Sequence, residues 1–97
     1  MTSTVAIEGR VTVNSSDEMR RKLLAALRSS PAQVIVDLSR ATYMDTSGVA
    51  TLLEAVRIAR SQSTRFVLAG LSGQPRNLFE VGRLDRFFEF APQETSA

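Results

Sequence analysis

The sequence predicts an α/β domain with a mixed, mainly parallel sheet of four or five strands, whose helices lie in right-handed crossovers between the strands. Two apolar runs, residues 34–38 and 65–69, lack polar alternation, which is typical of strands covered on both faces of a sheet. Segments with helical periodicity precede, separate and follow these runs. Alternating strands and helices indicate parallel pairing, because parallel strands need long crossover connections.

The N-terminal segment carries weak strand patterning followed by a helix start. Residues 5–8 and 10–13 are interpreted as two short strands, or as one strand interrupted at a glycine. Ser15 and Glu18 have the spacing of a capping box, in which two side chains satisfy free backbone N–H groups at a helix start. The apolar stripe of this helix comprises Met19, Leu23, Ala26 and Leu27. The helix should end before Pro31, since the residue before a proline resists helical angles.

A second helix is predicted over residues 46–61, after the strand at residues 34–38. Its apolar stripe comprises Val49, Leu52, Leu53, Val56 and Ala59. The opposite face carries Thr51, Glu54 and Arg57, with Ile58 as an isolated apolar side chain among them.

The C-terminal part of the sequence predicts a short third helix and a last apolar segment. Pro75 and Gly82 suit the first turn and the residue just past the end of that helix. The residues expected to complete the core are Leu78, Phe79, Val81, Leu84, Phe87, Phe88 and Phe90. We expect one domain over residues 1–97, with an ordered core at about 4–91 and a frayed tail at 92–97.

Composition excludes several classes of function. The 97 residues include no cysteine and no histidine, which excludes disulfides, the usual zinc sites and Ser-His-Asp or Cys-His catalytic groups. The net charge is +2 and the arginines are scattered, so we expect no binding to nucleic acid. Neither a signal peptide nor a membrane-spanning apolar run is visible, and a cytoplasmic protein without direct membrane insertion is expected.

The most informative stretch links the strand at residues 34–38 to the second helix and contains Asp45, Thr46, Ser47 and Gly48. It has two interpretations: a helix N-cap, because a polar side chain can accept a hydrogen bond from a free backbone N–H, or a hydroxyl presented to another protein as a phosphate acceptor. Two features weaken the simple cap. A cap needs one side-chain oxygen, but three successive residues, Asp45, Thr46 and Ser47, each offer one. In addition, a glycine in the first turn makes the helix less stable by roughly 1 kcal/mol than alanine would. Tyr43 and Met44 also add unexpected apolar bulk to the apparent connection.

An enzymatic role has little support in the residues. Asp37 and Asp45 flank the connection and could approach a cation or a phosphate. However, the sequence has no P-loop lysine, no glycine-rich phosphate cradle and no pairing of a nucleophile with a base. Asp37 is expected to accept hydrogen bonds from nearby N–H groups instead. We therefore expect a protein that is not an enzyme and has no catalytic residue, cofactor or metal site.

The stretch from Val34 through Asp45-Thr46-Ser47-Gly48 to Leu52 resembles the STAS domains, named for sulfate transporters and anti-sigma factor antagonists. The resemblance extends over nearly the whole chain. Arg10-Val11 follows the position of an early glycine turn, and residues 78–84 match a late helix and turn. The Asp-Ser/Thr-Ser/Thr-Gly element is specific only in this context, after a buried strand and at the start of a helix.

The resemblance implies a non-enzymatic anti-sigma factor antagonist. In such proteins the hydroxyl residue after the aspartate is phosphorylated by a GHKL-type serine/threonine kinase that is also the anti-sigma factor, and phosphorylation switches the antagonist off. That residue is Thr46 here, with Ser47 as the alternative acceptor. Family members in ABC-type lipid-transport complexes also carry an Asp-Thr element, so the alternative function is a subunit that binds a transporter ATPase on the cytoplasmic side.

The partner is expected to dock over the connection and the exposed side of the second helix. The residues expected in this surface are Tyr43, Met44, Asp45, Thr46, Ser47, Gly48, Thr51, Glu54 and Ile58. Self-association as a homo-oligomer through an exposed strand edge is left open.

Overall fold

Strand and helix alternate through residues 1–92, the part of the chain that the computed structural model describes. The strands in this part are β1 (Thr2–Val11), β2 (Gln33–Met44), β3 (Arg65–Ala69) and β4 (Glu89–Phe90). The helices are α1 (Ser16–Leu27), α2 (Thr46–Ser61), α3 (Gly73–Val81) and a single 3-10 turn over Leu84–Phe87. Apart from residue 92, the tail predicted at 92–97 lies outside the described residues.

The four strands form one sheet in the order β1-β2-β3-β4, and each of the three pairings is parallel. The predicted α/β fold is confirmed, with four strands and every pairing parallel rather than mixed. Because the strands are parallel, their carboxyl ends meet at one edge of the sheet, and the residues that follow β1, β2 and β3 gather there.

Only one face of the sheet is fully covered. Along β2, the side chains of Val34, Val36 and Leu38 are completely buried, whereas the residues between them are half-buried. Val67 on β3 is buried to 5% exposure, yet it does not join the core cluster that the helices share. The prediction of strands covered on both faces is therefore confirmed for β3, where Phe66, Val67 and Leu68 are all buried, and wrong for β2, where alternate residues are only half-buried.

The second half of β2 departs from simple alternation. The register between β1 and β2 shifts once between Ala6 and Glu8 and again between Gly9 and Arg10, where Gly9 has φ +76°. Each shift adds a residue to β2, so the buried positions change from every second residue to every third, namely Leu38, Ala41 and Met44. The prediction that Tyr43 and Met44 belong to a connection was wrong, since the strand continues to Met44.

Helix α1 begins where the sequence predicts, but its capping box does not form. The Ser15 hydroxyl donates to the Arg10 carbonyl oxygen at 2.8 Å and accepts from the Thr12 N–H at 2.9 Å. It therefore stabilises the preceding turn rather than the helix end. The predicted stripe of α1 is confirmed, since Met19, Leu23 and Leu27 are buried and Ala26 packs against the core.

The C-terminal aromatic residues contribute unequally to the core. Phe79 of α3 is buried, and its ring lies 5.3 Å from that of Phe88 and 6.1 Å from that of Phe90. Phe87 and Val81, which the sequence also assigned to the core, are 43% and 76% exposed. Those two assignments were wrong, since both side chains are exposed to solvent at the end of α3 and in the 3-10 turn that follows it.

Candidate functional site

The start of α2 lies against the carboxyl ends of β1 and β2. The Asp45 N–H donates to the Val11 carbonyl oxygen at 3.0 Å, and Met44 pairs with Val11 in the sheet. We call residues 11–13 and 43–48 the strand-end corner. The corner positions the predicted acceptor residues because the end of β2 leads directly into α2 without a loop.

Asp45 caps α2. Its Oδ1 accepts hydrogen bonds from the Ser47 N–H, at 2.9 Å, and from the Ser47 hydroxyl, while its Oδ2 accepts from the Val13 N–H at 3.3 Å. Its carbonyl oxygen accepts from the N–H groups of Gly48 and Val49 at 3.1 and 3.3 Å. These donors, led by the Ser47 hydroxyl, lower the pKa of the Asp45 carboxyl, so the group is ionised at neutral pH. The cap interpretation therefore holds for Asp45.

The two hydroxyls after Asp45 have different environments. The Ser47 side chain is half-buried, and its hydroxyl donates to the Asp45 carboxylate. Thr46 is exposed at the first position of α2, and its hydroxyl makes no hydrogen bond to any of residues 1–92. Of the two candidate acceptors, Thr46 is the accessible one.

Gly48 and Met44 have an internal role. Met44 is fully buried and Gly48 is buried. A Cβ on Gly48 would lie 2.7 Å from Met44 Cγ and 2.9 Å from Val11 Cγ1, which is closer than carbon atoms pack. The helix therefore needs glycine here because the ends of β1 and β2 approach it closely. The prediction that Met44 and Gly48 belong to an exposed partner surface is corrected accordingly.

Gln74 is a residue of the corner that the sequence analysis missed. Its Oε1 accepts from the Met44 N–H at 2.8 Å and its Nε2 donates to the Met44 carbonyl oxygen at 2.9 Å. The side-chain amide thus replaces a neighbouring strand at the end of β2 and joins α3 to the corner. No sequence pattern indicates this contact, because the two residues lie 30 positions apart.

Residues 1–90 match the family model described as "Mlab, STAS domain". The chain belongs to the STAS domain family. A putative sulfate transporter of Bacillus subtilis (strain 168), YvdB, is 30% identical to this STAS domain over 76 residues, which make up 78% of this chain and 14% of that protein. The chain therefore spans only a small part of the length of this relative.

Two solved structures illustrate the likeness of fold. An anti-sigma factor antagonist from Mycobacterium paratuberculosis superposes with a TM-score of 0.84 at 18% identity, covering 95% of this chain and 78% of that chain. The Bacillus cell fate determinant SpoIIAA in its phosphorylated form superposes with a TM-score of 0.68 at 22% identity, covering 95% of this chain and 84% of that chain. At these identities the likeness shows the fold alone.

The polar face predicted for α2 is less exposed in this STAS domain than the sequence suggested. The Thr51 hydroxyl donates to the Ser47 carbonyl oxygen at 2.9 Å. Glu54 accepts two hydrogen bonds from the Arg20 guanidinium of α1, at 2.8 and 3.1 Å, and the contact lowers the pKa of Glu54. Ile58 is half-buried against the core and is therefore not an isolated exposed side chain.

The outward side of α2 is a different stripe. Its members follow one another at intervals of four, three, four and three residues, which places them on one side of a helix. We call this set the α2 stripe, and it comprises Thr46, Ala50, Leu53, Arg57 and Arg60. Leu53 is half-buried and the other four are exposed. The stripe begins with the accessible hydroxyl, continues with small and apolar residues, and ends with two cations.

Two further side chains border the corner. Val13 is 71% exposed, and its N–H is bound by the Asp45 carboxylate, so an apolar side chain lies close to the start of α2. The sequence placed Val13 in a strand and so missed it. Tyr43 is half-buried and lies beneath the Arg10 guanidinium, whose carbon is 4.4 Å from the ring centroid.

The remaining acidic candidate does not complete a site for a metal. Asp37 lies within β2, where its Oδ1 accepts from the Ser39 N–H at 2.9 Å, and hydrogen bonds from Ser39 lower the pKa of Asp37. Within residues 1–92, no three acidic side chains are grouped so as to hold a metal ion. None of the helices in the same part of the chain combines the length and apolar content needed to cross a bilayer.

Proposed function

We propose that this STAS domain is a non-enzymatic regulatory protein of the cytoplasm, an anti-sigma factor antagonist that controls transcription by binding an anti-sigma factor of the GHKL serine/threonine kinase type. Phosphorylation of Thr46 switches the binding off. One observation carries the proposal: the Thr46 hydroxyl is exposed and unbound by residues 1–92, whereas Asp45 holds the Ser47 hydroxyl. A kinase can therefore reach Thr46 without breaking a cap.

The docking surface that we propose combines the corner with the α2 stripe. Val13 supplies exposed apolar surface, and Leu53 adds the outer part of a side chain that is half-buried against the core. The small Ala50 lets a partner approach the helix closely. Arg57 makes no ion pair with any of residues 1–92, so it is available to an acidic group of the partner. From the expected set this surface keeps Tyr43, Asp45, Thr46 and Ser47, which belong to the corner. It omits Thr51 and Glu54, whose side chains form hydrogen bonds within the domain, and Ile58, which lies outside the α2 stripe.

A phosphate on Thr46 acts on the interface more than on the fold. It adds about −1.5 to −2 charges at neutral pH. The N–H groups of Ser47, Gly48 and Val49 already bind Asp45, so a phosphate would extend outward beside an ionised carboxylate. A dianion placed inside an interface plausibly costs several kcal/mol, and about 2.8 kcal/mol corresponds to a hundredfold loss of affinity. One modification is enough for a switch.

The alternative function is a subunit of an ABC-type lipid-transport complex, in which Thr46 contacts the ATPase without being phosphorylated. It is supported by the matched family model, described as "Mlab", and by the curated relative, which is a putative transporter. The same exposed corner would then form a permanent interface.

The test compares partner capture by the wild-type chain, Thr46→Glu and Thr46→Val in lysate of the native cell, with identification by mass spectrometry. Under the antagonist proposal, wild type and Thr46→Val retain a GHKL kinase and Thr46→Glu loses it. Incubation with ATP and that kinase should phosphorylate wild type but not Thr46→Val. Capture of a transporter ATPase, with no phosphate transferred to Thr46, would replace the antagonist by the alternative. Equal capture of one partner by all three proteins would place Thr46 outside the interface.

A further inference from the structure

A cavity of about 380 Å³ lies away from the strand-end corner, at the carboxyl ends of β3 and β4. Its walls come from the end of β3, the residues after it, α3 and the segment after β4. The Ala91 N–H donates to the Leu68 carbonyl oxygen at 2.8 Å, which fixes the last wall against β3. Small-molecule sites have volumes of about 300–1,000 Å³, and this cavity lies within that range.

The cavity has an apolar interior and a charged mouth. Four apolar side chains form the interior, namely Leu68, Leu71, Phe79 and Phe90. Leu68, Leu71 and Phe79 are buried and Phe90 is half-buried, so their positions are fixed by core packing. An interior of this kind selects an apolar body, with a few polar groups at the mouth to orient it.

The three charged residues at the mouth leave an excess of negative charge. Arg76 Nε lies 2.9 Å from Glu80 Oε1, so these two charges largely neutralise each other. Asp85 borders the same mouth and makes no ion pair within residues 1–92. A cationic group on a ligand would therefore find an unpaired carboxylate at this mouth, whereas an anionic group could not pair with it.

We propose that this cavity is a binding site for a small apolar molecule that carries one cationic amine. The apolar body lies against Leu71 and the half-buried Phe90, and the amine lies at the mouth beside Asp85. This site is separate from the surface proposed for the partner protein, and its occupancy does not depend on phosphorylation of Thr46.

The probes are three indoles of similar size: tryptamine, which is cationic, tryptophol, which is neutral, and indole-3-propionate, which is anionic. Each is titrated into the ¹⁵N-labelled full-length chain, and the amide shifts of residues around the cavity are followed by NMR. Tryptamine should saturate the signals of Leu68, Leu71 and Ala91 with a dissociation constant on the order of 1 mM, as expected for so small a ligand. It should bind roughly two- to fivefold more tightly than tryptophol, the range of an exposed ion pair, and indole-3-propionate should bind most weakly.

Two variants locate the contacts. Asp85→Asn should reduce the affinity for tryptamine to the value for tryptophol. The affinity for tryptophol itself should not change. Ala91→Trp fills the cavity from one wall and should abolish binding of both, whereas Ala50→Trp, the same substitution on the exposed side of α2, should not affect it. The proposal is overturned if the three indoles leave the cavity signals unshifted, if indole-3-propionate binds as tightly as tryptamine, or if folded Ala91→Trp binds as wild type does.

Discussion

Replacing Gly48 by alanine tests the packing of the strand-end corner. Alanine favours a helix over glycine by roughly 1 kcal/mol, so on propensity alone the substitution would stabilise the domain. The structure opposes this gain, because the new Cβ would lie 2.7 Å from Met44 Cγ and 2.9 Å from Val11 Cγ1. Neither neighbour can withdraw easily. Met44 is completely buried, so its side chain has no free space to move into, and the β-branched Val11 is stiff at its first side-chain torsion.

Overpacking of this kind costs about 1–3 kcal/mol, which exceeds the gain in propensity over most of that range. We therefore expect Gly48→Ala to destabilise the domain by about 1 kcal/mol, which lowers Tm by roughly 4–8 °C for a chain of this size. Urea unfolding followed by circular dichroism measures the change, with the slope m checked for constancy.

Two variants calibrate the measurement. Ala50→Gly, at an exposed site in the same helix, gives the propensity difference alone and should cost about 1 kcal/mol. In a Met44→Ala background the clash with Met44 is absent, so Gly48→Ala should cost clearly less there than in the wild type. If Gly48→Ala instead raised stability by as much as Ala50→Gly lowers it, the close approach of the strand ends would not constrain the helix, and our account of Gly48 would be refuted.

Three further predictions concern the same corner. Ser47→Ala removes the hydroxyl bound to Asp45 and should lower the free energy of unfolding in urea by about 1 kcal/mol. Thr46→Val should change it by less than about 0.5 kcal/mol. Equal changes would contradict the difference between the two hydroxyls. Because the pKa of Asp45 is lowered in the folded state, its contribution to stability is complete above the pKa of an unfolded aspartate, near 4, and is lost as the pH falls through the lower folded value. Wild type should therefore be more stable than Asp45→Asn at about pH 7, and the difference in unfolding midpoint should shrink at about pH 2.5; an unchanged difference would show that the charge is not involved. Gln74→Ala should lower the free energy of unfolding by about 1–3 kcal/mol and accelerate hydrogen exchange of the Met44 amide. Gln74→Glu keeps the acceptor and should protect that amide better. Equal exchange in both variants would contradict the hydrogen bond from the Met44 N–H to the side chain of residue 74.

The order of elements could be predicted from the sequence because periodicity reports local geometry. The buried apolar faces of α1 and α2 were identified from the spacing of apolar residues alone, and the parallel sheet followed from the alternation of strands and helices. The end of β2 could not be identified in this way. Two register shifts change the buried spacing from two to three residues after Leu38. Gly9 marks the place of one shift in β1, but no residue of β2 shows where its buried spacing changes.

The candidate site was predictable where it depends on neighbours in the chain. The cap by Asp45 could be predicted because a cap depends on residues close in sequence. The choice of Thr46 as the acceptor came from the family resemblance and stays a prediction. The contacts of Gln74 with Met44 and of Arg20 with Glu54 could not be predicted, because they join residues 30 and 34 positions apart. For the same reason the sequence could not show that Glu54 faces α1, and of the three residues in the predicted polar face only Arg57 is exposed.

The central claim is that phosphate on Thr46 releases the partner while the domain stays folded. Its most direct test is the affinity of the anti-sigma kinase captured by the wild-type chain for two otherwise identical proteins, one unmodified and one with phosphothreonine incorporated at position 46. We predict a loss of affinity of about a hundredfold or more, with an unfolding midpoint close to that of the unmodified chain. Equal affinity for the two proteins would contradict the claim, and so would a loss of affinity accompanied by unfolding.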